Sequence, residues 1–282
     1  MTPPLPTETG ATSRHVQVDG TVVHVHEAGS GPTLLCIHGG APGATGWANF
    51  GQNVATWARG FRVLVVDLPG FGESDWVEAS DGKHRAHANL FVGLLDELGI
   101  SGPVHVVALA TGGAVAMRMA IDHPDRVARL VLVSSAGGLS LFDASPTEGE
   151  RAIREYYSGT GPSLEKMRHY LALTVSDPAL VTDELVEARH QNSITPQALE
   201  GSRHRGRPHP SDAVWQEAPS IRARTLIVWG RDNRVKGYDN GLFLLNRIPD
   251  SELHIYSGAG LWVPFERAAR FERLVSDFLL TD

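Results

Sequence analysis

At 282 residues, the chain is long enough for one large α/β domain or for a core carrying an inserted subdomain. Its formal charge of −7, with scattered basic residues, disfavours nucleic acid and anionic membrane as partners, since both reward concentrated positive charge. The single cysteine, Cys36, rules out an internal disulfide and reads as a buried, inert thiol.

Residues 1–13, rich in Pro and Thr, read as a loose tail with no apolar leader. No 18-residue apolar run is present to span a membrane, so a cytoplasmic location is expected. Strand-like runs follow at 14–20, 21–29 and 33–39. The Asp19-Gly20 turn makes the first two an antiparallel hairpin. From there strands at 62–70, 103–110, 128–135, 223–230 and 251–258 alternate with helical stretches, clearest at 86–98, 112–122 and 265–280. Their near-continuous Val/Leu/Ile content suits a sheet covered on both faces. The alternation predicts an α/β fold with a mostly parallel sheet and right-handed crossovers. Between Ser135 and Ala223 lie almost ninety residues with helical but no strand character, too long for a connection. We therefore expect a core of 14–138 and 220–282 with a helical cap at 139–219, closing a crevice over the strand ends. The basic stretch "SRHRGRPHP" at 202–210 reads as a solvated loop.

The motifs "CIHGGAPGATGWANF" (36–50), "DLPGFGESD" (67–75), "HPDRVARLVLVSSAGGL" (123–139), "WGRDNRV" (229–235) and "LWVPFERAARFERLVSDFL" (261–279) carry a resemblance. The chain resembles the α/β-hydrolase superfamily, and within it the meta-cleavage-product hydrolases, which break a C–C bond in dienoate diketones. The resemblance implies an oxyanion loop at His38-Gly39-Gly40-Ala41, with the N–H after the elbow apex, that of Thr111, as second donor. It implies an acid at Asp232, a substrate-carboxylate partner at Arg189 in the cap, and places His38, Ala41, Asn49, Ala110, His190, Leu261 and Trp262 around the ligand pocket.

The chain departs from that pattern where the chemistry is done. The family elbow G-x-S-x-G reads Ala108-Leu109-Ala110-Thr111-Gly112-Gly113 here, and the histidine position is Leu261, between Gly260 and Trp262. Neither the Ala110 nor the Leu261 side chain has a lone pair or an exchangeable proton, and a triad acts as a unit, so the serine mechanism is not available. One laboratory Ser→Ala substitution would explain Ala110 but not Leu261, Leu109 and Ala108. Thr111 is expected to point away from the crevice, and Ser134 and Ser135 to serve a surface loop or cap. Asp232, facing Leu261, either becomes a desolvated acid–base group or merely bonds its own loop. His24, His26, His105 and His254 read as satisfied strand histidines, and no histidines are spaced as a metal set or beside an acidic cluster. No metal and no cofactor is expected, and no phosphate-loop or dinucleotide glycine pattern appears.

Two readings follow: an enzyme that stabilises an enolate in the oxyanion loop (lyase, decarboxylase, isomerase or cyclase chemistry), or a small-molecule binding protein without catalysis. A C–C or ester hydrolase of atypical mechanism, or an inactivated variant of one, stands third. Homo-oligomerisation is left open by the sequence.

Overall fold

The computed structural model describes residues 10–142, 145–204 and 209–281. Eight strands form one sheet: β1 (Thr12–Val18), β2 (Thr21–Ala28), β3 (Thr33–Ile37), β4 (Arg62–Val66), β5 (Val104–Leu109), β6 (Val127–Val133), β7 (Arg224–Gly230) and β8 (Ser251–Tyr256). Ten α-helices accompany them among the described residues: α1 (Gly46–Trp57), α2 (Lys83–Glu97), α3 (Thr111–Asp122), α4 (Glu148–Glu155), α5 (Leu164–Thr174), α6 (Asp183–Ser193), α7 (Pro196–Arg203), α8 (Asp239–Arg247), α9 (Val263–Glu266) and α10 (Ala268–Leu280). The sheet order is β1-β2-β4-β3-β5-β6-β7-β8, with β1 and β2 antiparallel and β3 to β8 parallel.

Alternation along each strand feeds two separate cores. Leu35 and Ile37 of β3, with Val106 and Ala108 of β5, pack with Phe91, Leu94, Ala116 and Met117 of α2 and α3. Leu34 and Cys36, with Val107 and Leu109, pack on the other face with Phe50 and Trp57 of α1 and Phe271 and Val275 of α10. Because side chains alternate with period two, a strand buried on both faces must be apolar throughout, which is why these strands read as unbroken Val/Leu/Ile runs. Cys36 is fully buried, and burial raises its thiol pKa, leaving it protonated.

Strand order reverses at β3, whose successor β4 lies on one side and β5 on the other. Parallel sheets bind ligands in the crevice that opens at such a point. The loops leaving β3 and β5 therefore face one another across the carboxyl edge.

Several expectations shift. The tail at 1–13 ends sooner, because β1 starts at Thr12 and pairs Thr12 with Glu27; residues 1–9 lie outside the described residues. Strands β3 and β4 stop at Ile37 and Val66, so His38-Gly39 and Asp67-Gly70 are loop. Helix α1 was not predicted: Thr45 caps it by accepting from the Ala48 N–H at 3.0 Å, while glycines and asparagines blur its apolar period. The single helix at 265–280 is broken at Arg267 into α9 and α10. Ser134 and Ser135 are fully buried rather than on a surface loop. The stretch 202–210 spans the end of α7 and a 3₁₀ turn from Pro210, with 205–208 outside the described residues. Between β6 and β7 the described residues hold α4 to α7 and short 3₁₀ turns but no strand.

Candidate active site

The turn after β5 is built as a sharp elbow. Ala110 adopts φ 48° and ψ −116°, a conformation costly for any side chain, and hydrogen bonds hold it there. Its N–H donates to Val133 O (3.0 Å), and its carbonyl accepts from the N–H groups of Gly113 (2.9 Å) and Ala136 (2.8 Å). The trailing glycines are steric necessities: a Cβ on Gly112 would lie 2.5 Å from the carbonyl oxygens of Ile37 and His38, and one on Gly113 2.1 Å from Ser135 Oγ. The elbow thus fits tightly between β3 and β6, with a methyl at its apex.

The loop after β3 runs directly against this apex. A Cβ on Gly39 would sit 3.2 Å from Ala110 Cβ, and one on Gly40 would sit 2.9 Å from Thr111 Oγ1. Neither Gly40 N–H nor Thr111 N–H has an acceptor among the described residues. The Thr111 N–H belongs to the first turn of α3, where donors lack intrahelical partners and the helix dipole favours negative charge. Two N–H groups beside the apex are thus available to an oxygen that gains charge.

His38 is not in the pocket. It is fully buried: its Nδ1–H donates to Gly39 O (2.7 Å), and Nε2 accepts from the Leu68 N–H (2.8 Å). Burial lowers its pKa to about 4, so it is a neutral strut that fixes the glycine loop after β3. Behind it, Asp67 receives the Gly46 N–H (2.7 Å) and Glu73 N–H (3.2 Å) and bonds His24 Nδ1 at 2.7 Å. His24 lies beside His15 and Glu73, whose ligand-type atoms fall within 4.8 Å of one another. No metal set or acidic partner cluster was expected from the spacing of the histidines, yet the fold gathers these three side chains from β1, β2 and the loop after β4. There His24 also meets Ser13 Oγ at 2.7 Å, and His15 and Glu73 pair at 3.0 Å.

A cavity of about 190 Å³ opens over the elbow. It gathers most of the residues singled out from sequence: Gly39, Gly40, Ala41, Asn49, Ala110, Thr111, Arg189, Leu261 and Trp262 all line it. Three stay outside. His38 is the strut just described. His190 is half-buried, with Nδ1 held by Tyr156 Oη at 2.9 Å. Asp232 does not line the cavity; its side chain is 42% exposed and lies 3.9 Å from Arg231 Nε, so the expected apolar neighbourhood does not form. Thr111 also departs from expectation, since its side chain faces Gly40 rather than turning away.

Arg189 is the conspicuous polar group. It is 5% exposed, its guanidinium lies 5.7 Å from the Trp262 ring, and its Nε has no partner. No carboxylate pairs with it among the described residues, and burial lowers its pKa. A buried cation without a counter-ion is costly, and a ligand anion would remove that cost. Reasoning from sequence missed Glu150, Tyr170, Thr174 and Lys236 in the lining. Of these, Glu150 had a legible signal: Thr147-x-x-Glu150 is a capping box, with both reciprocal bonds formed at 3.1 and 3.2 Å.

Comparison with known proteins agrees with this geometry. Residues 32–164 match the α/β hydrolase fold family. The chain is 36% identical over 263 residues to the 2-hydroxy-6-oxo-6-phenylhexa-2,4-dienoate hydrolase of Burkholderia cepacia, covering 91% of each chain. The chain belongs to the α/β-hydrolase family, among the meta-cleavage product hydrolases. A second member, the 2-hydroxy-6-oxononadienedioate/2-hydroxy-6-oxononatrienedioate hydrolase of Cupriavidus pinatubonensis, is 38% identical over 283 residues, with 97% of this chain and 96% of that one covered. Among solved structures, a mutant of the meta-cleavage product hydrolase from Pseudomonas fluorescens IP01, complexed with acetates, superposes with a TM-score of 0.84 at 30% identity. That match covers 96% of this chain and 98% of the other. The family frame is thus shared over at least 91% of each chain, with Ala110 at the elbow apex and Leu261 lining the same cavity.

Proposed function

We propose that this member of the family works without a covalent acyl-enzyme, binding a carboxylate-bearing oxo compound and moving protons on it as a lyase, decarboxylase, isomerase or cyclase. The carrying observation is a fully formed elbow with a methyl at its apex and Leu261 in the same cavity. In this reading Arg189 takes the ligand carboxylate, and the Gly40 and Thr111 N–H groups stabilise an enolate oxygen as charge develops there. The proposed cap, 139–219, shields that charge from water, since α5 and α6 supply Tyr170, Thr174 and Arg189 to the lining. Protons travel through bound water, as Asp232 lies outside the cavity.

The test uses a ligand named for a relative, 2-hydroxy-6-oxo-6-phenylhexa-2,4-dienoate, incubated with purified chain in D₂O and analysed by mass spectrometry and NMR. The expected products retain the phenyl ketone, as a deuterated isomer or a decarboxylated compound, and Arg189→Met abolishes their formation. Stoichiometric release of benzoate would instead make this chain a hydrolase. Recovery of bound but unchanged compound favours the second reading, a binding protein, to which the uncompensated charge of Arg189 lends support.

A further inference from the structure

The cavity contains a second cation whose circumstances differ from those of Arg189. Lys236, on the loop after β7, lines it together with Glu150 of α4, and the two pair at 3.0 Å. The pair is firmly mounted. Thr147 Oγ1 donates to Val235 O (2.7 Å), the Gly149 N–H donates to Arg234 O (3.1 Å), and Arg234 meets Glu148 at 3.0 Å. Glu150 accepts on its other oxygen from the Thr147 N–H (3.1 Å) and Ser145 Oγ (3.2 Å). Burial opposes its ionisation, but Lys236 and these donors hold its carboxyl below the usual carboxylate range. Lys236 Nζ has three donors, of which one is engaged among the described residues.

The charges on the wall then decide what fits. Arg189 and Lys236 bring two positive charges and Glu150 one negative, and the negative charge sits on Lys236. The single unbalanced positive charge belongs to Arg189. A ligand carrying one carboxylate neutralises the site, whereas a second carboxylate near Lys236 meets a carboxylate already in place. The spare N–H groups of Lys236 still offer hydrogen bonds to an uncharged oxygen.

We propose that the Lys236–Glu150 pair makes this a monocarboxylate site, in which Lys236 donates to a neutral carbonyl or hydroxyl oxygen of the ligand and Glu150 repels a second carboxylate. The inference rests on the reading of Arg189 as the carboxylate partner. Selectivity through repulsion of the wrong ligand is a common way to separate compounds of similar shape.

Isothermal titration of the whole chain with 6-oxoheptanoate, heptanoate and heptanedioate at low salt tests it. Wild type should bind 6-oxoheptanoate several-fold tighter than heptanoate, and heptanedioate weakest. Glu150→Gln preserves the capping box and should raise heptanedioate affinity about tenfold relative to heptanoate, while Lys236→Met should erase the advantage of 6-oxoheptanoate. A heptanedioate preference in wild type, or an unchanged ratio in Glu150→Gln, would overturn the proposal. Arg189→Met should weaken all three acids alike. If it weakens none, or if wild type binds none of them, the carboxylate reading of Arg189 falls, and the monocarboxylate site falls with it. Thermal unfolding of each variant verifies that the fold is retained.

Discussion

At the scale of single residues, the proposed carboxylate partner Arg189 is held at a cost in stability. A guanidinium that is 5% exposed and lacks a partner on Nε sits where water cannot solvate it fully. Filling that space with an apolar side chain removes the desolvation cost and keeps the packing on Trp262. We therefore expect Arg189→Met to stabilise the chain by about 1–3 kcal/mol in urea unfolding while it loses carboxylate affinity. A destabilised variant would mean that Arg189 is held by contacts worth more than its burial costs. Ala110 shows a related trade. The strained backbone at φ 48° is retained at a position with no side-chain chemistry, because three backbone hydrogen bonds and the fit of Gly112 and Gly113 depend on it.

At the scale of elements, the first turn of α4 clasps the loop after β7. Thr147 accepts from the Glu150 N–H and also donates to Val235 O, so one hydroxyl caps the helix and binds it to the core. Thr147→Ala should cost roughly 1–2 kcal/mol by loss of the cap. The loss should be local, with amide hydrogen exchange accelerating across 148–155 while the strands β3 to β6 stay protected. Uniform acceleration over the sheet would show that this clasp carries global stability instead. The loop after β3 is braced differently, by His38 and Asp67 beneath it, so the Leu68 and Gly46 N–H groups that they hold should keep their protection in the same experiment.

At the scale of the whole molecule, buried histidines set the response to acid. Burial lowers His38 to about 4 and His26, which also lies beside His24, to about 4, against 6.5 when unfolded. The unfolded chain therefore binds more protons between pH 6.5 and 4, so stability is complete above that window and falls as the pH drops through it. Each such proton contributes about 1.4 kcal/mol per pH unit, so the two together approach roughly 3 kcal/mol per unit at the steepest point. Asp67 and Glu150, with lowered carboxyl pKa values, deepen the loss further as acid reaches the carboxylate range. His24 runs the other way: burial lowers it, but its bond to Asp67 raises it on balance, so its contribution is lost only above pH 6.5. Urea midpoints measured from pH 7.5 to 4.5 should fall steeply below 6.5, and a flat profile would contradict the burial of these rings.

How much could be read in advance depends on range. Unbroken apolar strands, a hairpin turn and a long helical interval are local patterns, so sheet class and strand sequence were legible from residues alone, whereas the alanine at the elbow apex, Ala110, stood out only against the family motif. That Gly39 and Gly40 meet Ala110 and Thr111 was implied only by the family resemblance, since the two loops are distant in sequence and are brought together by the pairing of β3 with β5. What a distant segment does to a side chain was not legible. Asp232 and Lys236 lie on one loop, yet the first turns outward to 42% exposure while the second reaches the cavity. Lys236 finds Glu150 86 residues away, and that pairing exists only once α4 has docked on the loop after β7. His38 was read as a pocket residue, but the hydrogen bond from Leu68 turns it beneath the loop. The sequence by itself determined which groups are available for chemistry; packing between distant elements decided which of them face the cavity and with what net charge.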